Sequence, residues 1–266
     1  MKYRNFGKTG TKVSQLVFGG GAVGGLLINQ DDETKLKAVR RAMQAGINWI
    51  DTAPSYGQGR SEAALGWILK ELDEKPYVAT KFSIDLDDLS DIPGQIERSL
   101  EASLERLQSE SVTLLQLHNQ IGEQISERRL PVSYILGKDG VIDGLQRLNE
   151  QGLIEHFGIT ALGETSSILQ VIESGRIDSA QVYYNMLNPS AGRAMPESWV
   201  GQDFGNLVAA CKRQNMATMV IRVFAAGVLA SDERHGREVV IARDSDLDTE
   251  SRRAAAVFAA VANEYG

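Results

Sequence analysis

Short apolar runs alternate with longer amphipathic stretches along most of this 266-residue protein. The runs QLVFGG, 47–52, 77–82, 112–118, IEHFGIT, DSAQVYYN and ATMVIRVF are rich in β-branched and aromatic residues, and each is short enough to be a strand. Between them DDETKLKAVRRAMQAG, residues 60–72, residues 91–108, VIDGLQRLNEQG, ETSSILQVIESG and GNLVAACKRQN place apolar residues at helical spacing, the first closed by Gly46. Strand and helix repeated this often without a break in composition predict one α/β domain over residues 1–266 with a parallel sheet. Ahead of it, MKYRNFGKTGTKVS reads as a hairpin turning around Gly7–Gly10. Residues 119–140 and MLNPSAGRAMPESWVGQDF read as loops rimming the mouth of the sheet, the first offering apolar residues and the second Trp199 to a substrate. The charged stretch from Ala225 to Asp248 reads as a lid, and TESRRAAAVFAAVANEYG as a seventh helix.

Three of these strands end in chemistry. INWID ends in Asp51, YVATKF carries Lys81 at its end, and VTLLQLH ends in His118. After Asp51 a Pro54-Ser55 turn leads to Tyr56, and Ser61-Glu62 opens the next helix. The carboxyl ends of parallel strands are where such enzymes hold their working groups. A tyrosine hydroxyl, with an ordinary pKa near ~10, is a poor acid or base at neutral pH. A lysine ammonium in contact favours the phenolate, and a carboxylate on the lysine keeps it charged and in place. His118 would then orient a carbonyl oxygen. Any one of these residues alone is more economically read as a turn carboxylate, a surface phenol, a solvated amine or a core imidazole. The four in order on successive strand ends favour a site.

GINWIDTAPSYGQGRSE, TKF and LLQLHN together resemble the Asp-to-Tyr, lysine and histidine signatures of the aldo-keto reductase superfamily. The resemblance implies a (β/α)8 TIM barrel plugged by the N-terminal β-hairpin, and a nicotinamide dinucleotide, usually NADPH with NAD possible, held without a Rossmann fold. It assigns the catalytic tetrad to Asp51, Tyr56, Lys81 and His118. Gly20, Gly21, Asp51, Thr160, Gln181, Arg222, Phe224 and Ala225 are then cofactor-binding candidates, with Gln181 on the nicotinamide carboxamide. Tyr56, His118, Asn119 and Trp199 are the substrate candidates. The sequence departs from the family at Ala161, where Asn is frequent, and at Ile221, where an aromatic ring usually stacks. Arg222 then either approaches the pyrophosphate or pairs with a loop carboxylate. FGGG and RVFAAGVL look more like the bacterial sugar and galactose dehydrogenase branch than the steroid-reducing one. Only seven strands are counted, whereas a closed barrel needs an eighth to remove its edges. The eighth βα unit, which in the family grips the adenosine 2'-phosphate, is therefore expected to be absent, and the barrel domain to be incomplete at its C-terminal end.

Two rival readings stand beside this one. Gly19, Gly21 and Gly24 satisfy G-x-G-x-x-G after a strand, and Asp51 ends the second strand, as in a Rossmann fold. Against it, LLINQDDE intervenes before a helix that begins near Asp31-Asp32, and Asp51 comes late. The second rival is a nucleotide-binding sensor or regulatory barrel with little turnover, which does not need Tyr56 and Lys81 together. Composition narrows the choice only a little further. A net charge of −7 disfavours nucleic acid, and no run of ~18 apolar residues spans a membrane. One cysteine, Cys211, and three histidines argue against a metal site and for a reducing cytoplasm. His156, at the start of its strand, and His235, in the charged loop, are expected to take no part in chemistry. A small carbonyl or sugar compound is the expected partner, and oligomeric state is left open.

Overall fold

The computed structural model describes residues 1–21, 25–234, 236, 238 and 246–265. The protein opens with the antiparallel pair β1 (Tyr3–Asn5) and β2 (Lys12–Ser14), followed by β3 (Phe18–Gly19), the single turn α1 (Leu26–Asn29) and α2 (Asp32–Gln44). Next come β4 (Trp49–Asp51), α3 (Arg60–Lys70), β5 (Tyr77–Phe82), α4 (Ile92–Leu107) and β6 (Val112–Leu117). A β7 (Gln120–Gly122), β8 (Arg129–Pro131) and α5 (Val132–Leu136) excursion precedes α6 (Val141–Glu150), β9 (Ile154–Ala161), α7 (Thr165–Glu173) and β10 (Ser179–Tyr183). The remaining elements are α8 (Leu207–Arg213), β11 (Ala217–Ile221) and α9 (Leu247–Tyr265).

Among the described residues seven strands form one parallel sheet in the order β11-β10-β9-β6-β5-β4-β3, curled into a half-barrel with helices outside. The strict sequence order excludes the doubly wound alternative, in which strand order reverses at a switch point. Gly24 lies outside the described residues. The helix that follows is in two pieces, with a one-turn α1 at Leu26 ahead of α2. Asp31 caps α2 by accepting from the Thr34 N–H at 2.8 Å. Among the described residues β3 and β11 each pair with one strand only.

Alternation along the strands sorts their side chains. Outward-facing Ile50, Val78, Phe82, Leu115, Leu117 and Ile159 are buried beneath the helices. Inward, Trp49, Ala79, Leu114 and Ala217 make an apolar floor together with Phe6 from the hairpin. Two residues further along the same strands and on the same face stand Asp51, Lys81 and Gln116. The barrel interior therefore changes from hydrocarbon to charge over one strand repeat, about 7 Å. Phe6 plugs the floor with its ring centroid 4.7 Å from that of Trp49, and His156 packs nearby, its ring nitrogen 3.2 Å from the Thr11 hydroxyl. His156 thus sits at the end of the barrel remote from the mouth. Phe6→Ala is expected to destabilise the protein by about 3–5 kcal/mol in urea denaturation, the range for a large aromatic removed from a packed core.

Residues 119–140 differ from the loop expected. Ile121, Leu130 and Ile135 are fully buried in the main core, because β7 and β8 pair in parallel and Ile121 bridges to Gly163. These apolar residues serve packing, and they are not available to touch a substrate. The segment after β11 turns through a short 3-10 element at Ala225–Gly227, and α9 packs Ala254 on Leu187, Ala225, Val228 and Leu229. The rest of the expected lid includes His235 and residues 239–245, outside the described residues.

Candidate active site

Asp51 ends β4, and the backbone then needs a tight return to bring Tyr56 over the mouth. Gly57, Gln58 and Gly59 supply it with three consecutive left-handed conformations (φ 62°, 57° and 86°), after which α3 begins. The Tyr56 ring comes to lie beside Gly21, where a Cβ would stand 3.6 Å from the ring. Lys81 reaches up from β5 and donates from Nζ to Asp51 Oδ1 at 2.6 Å and to the Thr52 carbonyl at 2.7 Å. Its ammonium is 4.9 Å from the Tyr56 ring centroid. His118, just past β6, meets Tyr56 edge to face with centroids 6.1 Å apart. The four residues singled out in the sequence thus converge on one mouth.

Their electrostatics divide the roles. Burial alone would push the Lys81 pKa down, but attraction to Asp51 and Tyr56 outweighs it and holds the value above the ordinary one. The ammonium is therefore kept at neutral pH, and the stability it contributes is lost only as pH rises through that raised value. His118 goes the other way, to about 4, through burial first and then the positive charges of Lys81 and Arg222. It is a neutral imidazole above pH 5. Because the unfolded protein binds a proton at His118 near pH 6.5 and the folded protein does not, folding stability falls as pH drops from about 6.5 to 4. At 1.36 kcal/mol per unit this amounts to about 3 kcal/mol. Urea denaturation over pH 4–7 is expected to show that acid slope reduced in His118→Asn.

The other candidates are placed more variously. Gln181 and Thr160 are register partners on β10 and β9. Gln181 donates from Nε2 to Asp51 Oδ2 at 2.7 Å, which directs one of its two amide N–H groups to that carboxylate. The Thr160 hydroxyl is buried and has no hydrogen-bond partner among the described residues. Gly20 uses both backbone groups internally, donating to the Asp51 carbonyl at 2.7 Å and accepting from the Ser61 hydroxyl at 2.9 Å. Arg222, just past β11, sits over the Tyr183 ring at 5.9 Å and has no carboxylate partner among the described residues. Phe224 is 62% exposed, whereas Ala225 is buried against α9 and its N–H is taken by the Arg222 carbonyl at 2.8 Å. Asn119 is a bracket, accepting from the Ile84 N–H at 2.7 Å and donating to the Ile84 carbonyl at 3.0 Å, which leaves its amide little to offer a substrate. Trp199 donates its ring N–H to the Gln202 carbonyl at 3.4 Å, a bond within its own loop that ties it to none of the four central residues.

Gln116 is the interior residue that sequence reasoning passed over. It lies in register with Lys81 and donates to Asp51 Oδ2 at 3.5 Å. The signal was a lone amide within VTLLQL, two residues before His118 and so on the same face. Among the described residues no group of three or more His, Cys, Asp or Glu is disposed to hold a metal, and no helix is long and apolar enough to cross a membrane.

A profile of the aldo/keto reductase family matches residues 15–266. L-galactose dehydrogenase of Arabidopsis thaliana is 33% identical over 168 residues, covering 61% of this chain and 49% of the relative. A further curated relative, from Bacillus subtilis, is matched over 38% of its length, so the present sequence spans about half or less of these proteins. Among solved structures, an aldo-keto reductase from Bacillus halodurans in its holo form superposes with TM-score 0.65 at 22% identity, over 86% of this chain and 68% of that one. An aldo/keto reductase from Klebsiella pneumoniae in complex with NADP and acetate gives TM-score 0.62 at 20% identity, over 83% and 68%. At such identities the structural likeness establishes the fold.

Proposed function

This chain belongs to the aldo/keto reductase family, and on that premise we propose that it interconverts an aldehyde, ketone or sugar carbonyl and its alcohol with a nicotinamide dinucleotide. The observation that carries the reading is the ammonium of Lys81 held between the Asp51 carboxylate and the Tyr56 ring. A binding module has no use for that arrangement.

The residues at the mouth fit such a cofactor. The Thr160 hydroxyl beside Gln181, buried and without a hydrogen-bond partner among the described residues, suits a carboxamide, Gly21 presents backbone without a side chain beside the Tyr56 ring, and Arg222, with no carboxylate partner among the same residues, suits a phosphate group. When bound, the nicotinamide supplies or takes up the hydride. In reduction Tyr56 Oη gives its proton to the carbonyl oxygen, and in oxidation it takes the proton back. Lys81 sets its positive charge 4.9 Å from the Tyr56 ring centroid, Asp51 keeps Lys81 charged, and Gln181 holds the second Asp51 oxygen so that the first stays on Lys81. His118, neutral, offers an N–H to the same carbonyl oxygen and orients it without competing as an acid.

A sugar is the first substrate class to try, given the L-galactose dehydrogenase likeness, and NADPH the first cofactor, given the NADP in the Klebsiella structure. Fluorescence titration with NADPH and NADH, followed by turnover of a panel of aldehydes, ketones and aldoses, tests the proposal. Tight binding of either nucleotide with no turnover of any carbonyl would favour the sensor reading.

A further inference from the structure

A fully buried carboxylate outside the tetrad has no place in this chemistry. Glu62, in the first turn of α3, accepts from the Thr80 hydroxyl at 2.5 Å and from Arg106 Nε at 2.7 Å. Arg106 also reaches the Ser103 hydroxyl at 3.1 Å, and α4 lies so close that a Cβ on Gly66 would overlap the Arg106 carbonyl oxygen. The neighbour of Glu62, Ser61, is equally buried and donates to the Gly20 carbonyl at 2.9 Å. With its one proton so used, Ser61 accepts from the Thr52 hydroxyl at 2.9 Å. Two adjacent side chains thus grip the ends of three adjacent strands, at Gly20, Thr52 and Thr80. Each of these residues is next in sequence to one that faces the mouth: Gly21, Asp51 and Lys81. Thr52 is bound at both ends, because its carbonyl accepts from Lys81.

We propose that Ser61 and Glu62 are positioning residues, a clamp on the outside of the sheet that sets the Lys81 ammonium against Asp51 and Tyr56. The proposal rests on the reading of those three as the working groups. The backbone hydrogen bonds that join strands β3, β4 and β5 near their ends do not by themselves fix how far the Thr52 carbonyl turns toward Lys81. The Thr52-Ser61-Gly20 relay of hydrogen bonds fixes that turn, and the Glu62-Thr80 bond holds the strand carrying Lys81. Gly20 belongs to the clamp for a steric reason, since a Cβ there would lie 2.6 Å from the Ser61 hydroxyl.

The test compares Ser61→Ala, Thr52→Val, Thr52→Ser and Glu62→Gln in the full-length protein by two readouts. The first is steady-state kinetics with nucleotide titration. The second is the nitrogen-15 resonance of the Lys81 ammonium, assigned with Lys81→Met, which buried hydrogen bonds protect from exchange. Ser61→Ala and Thr52→Val are each expected to lower kcat about ten- to a hundredfold, as a small misplacement of a working group does. KM and nucleotide affinity should move less than about threefold, and the ammonium resonance should broaden. Thr52→Ser, which keeps the hydroxyl, should restore both relative to Thr52→Val. Glu62→Gln keeps an acceptor for Thr80 and should fall between. Full kcat with an unchanged resonance in both Ser61→Ala and Thr52→Val, even with lowered melting temperatures, would show the pair to be structural only. A resonance that responds as described in a protein that turns over no carbonyl would sink the proposed reaction and leave the clamp standing. Should Ser61→Ala not fold, the contrast between Thr52→Val and Thr52→Ser decides.

Discussion

Tyr56→Phe is expected to lower carbonyl turnover by about 10²–10⁴, the usual worth of a positioned acid or base, while nucleotide titration stays within about twofold of the unmodified protein. The substitution removes one oxygen atom. The ring remains beside Gly21 and edge-on to His118, and Lys81 keeps its two hydrogen bonds to Asp51 and to the Thr52 carbonyl. No neighbour can take over the proton. His118, with its pKa pushed to about 4 by burial and the positive charges of Lys81 and Arg222, carries no spare proton at neutral pH. Lys81 has its pKa raised once Asp51 and Tyr56 overcome the effect of burial, and it holds its proton too firmly to act as the acid. A Phe variant with its full rate would mean that the proton reaches the carbonyl oxygen from elsewhere, and the proposed mechanism would be wrong.

The central residues were legible because two simple periods cross there. A strand that enters as hydrocarbon and leaves as Asp, Lys or His advertises an interior that turns polar at one end, and Trp49–Asp51, Ala79–Lys81 and Leu114–Gln116–His118 each follow that pattern, with Ala79 and Lys81 in register with Leu114 and Gln116 and Asp51 in register with Ala79. Helix limits were legible to within a few residues for a related reason. Asp31 and Asp91 are side-chain caps, and Gly59 sits at the N-cap of α3 in a conformation few other residues adopt. Less could be read from the segment after His118, because β7, β8 and α5 are too short to show a period. Their burial comes from a bridge to Gly163, about forty residues away in sequence. The same holds for Asn119 and Gln181. Their residue types suggested ligand contacts, but which partner an amide takes is set by what the fold brings opposite, Ile84 for one and Asp51 for the other. The Ser61-Glu62 pair looked like an ordinary helix start, and only the packing of α3 on three strand ends gives it a further meaning.

The second large effect lies in the Lys81–Asp51 pair, where the two single substitutions are expected to fail differently. Lys81→Met leaves the Asp51 carboxylate, largely buried, with glutamine N–H groups from Gln181 and, at longer range, Gln116. Breaking such a pair on one side typically destabilises by about 3–5 kcal/mol. The Gln181 bond places this case near the lower end, and turnover should be lost at every pH. Asp51→Asn leaves the ammonium buried with the Thr52 carbonyl and Tyr56 but without its anion. Burial then prevails, the Lys81 pKa falls below its ordinary value, and the ammonium is lost as pH rises. Turnover in Asp51→Asn should therefore decline steadily toward alkaline pH across a range where the unmodified protein holds its rate. Because the double variant removes both charges, it should be less destabilised than the sum of the singles, a coupling that urea denaturation of all four proteins measures directly. Additive singles would show that the 2.6 Å contact contributes little to folding. A pH profile of Asp51→Asn parallel to that of the unmodified protein would remove Asp51 from the role of keeping Lys81 charged.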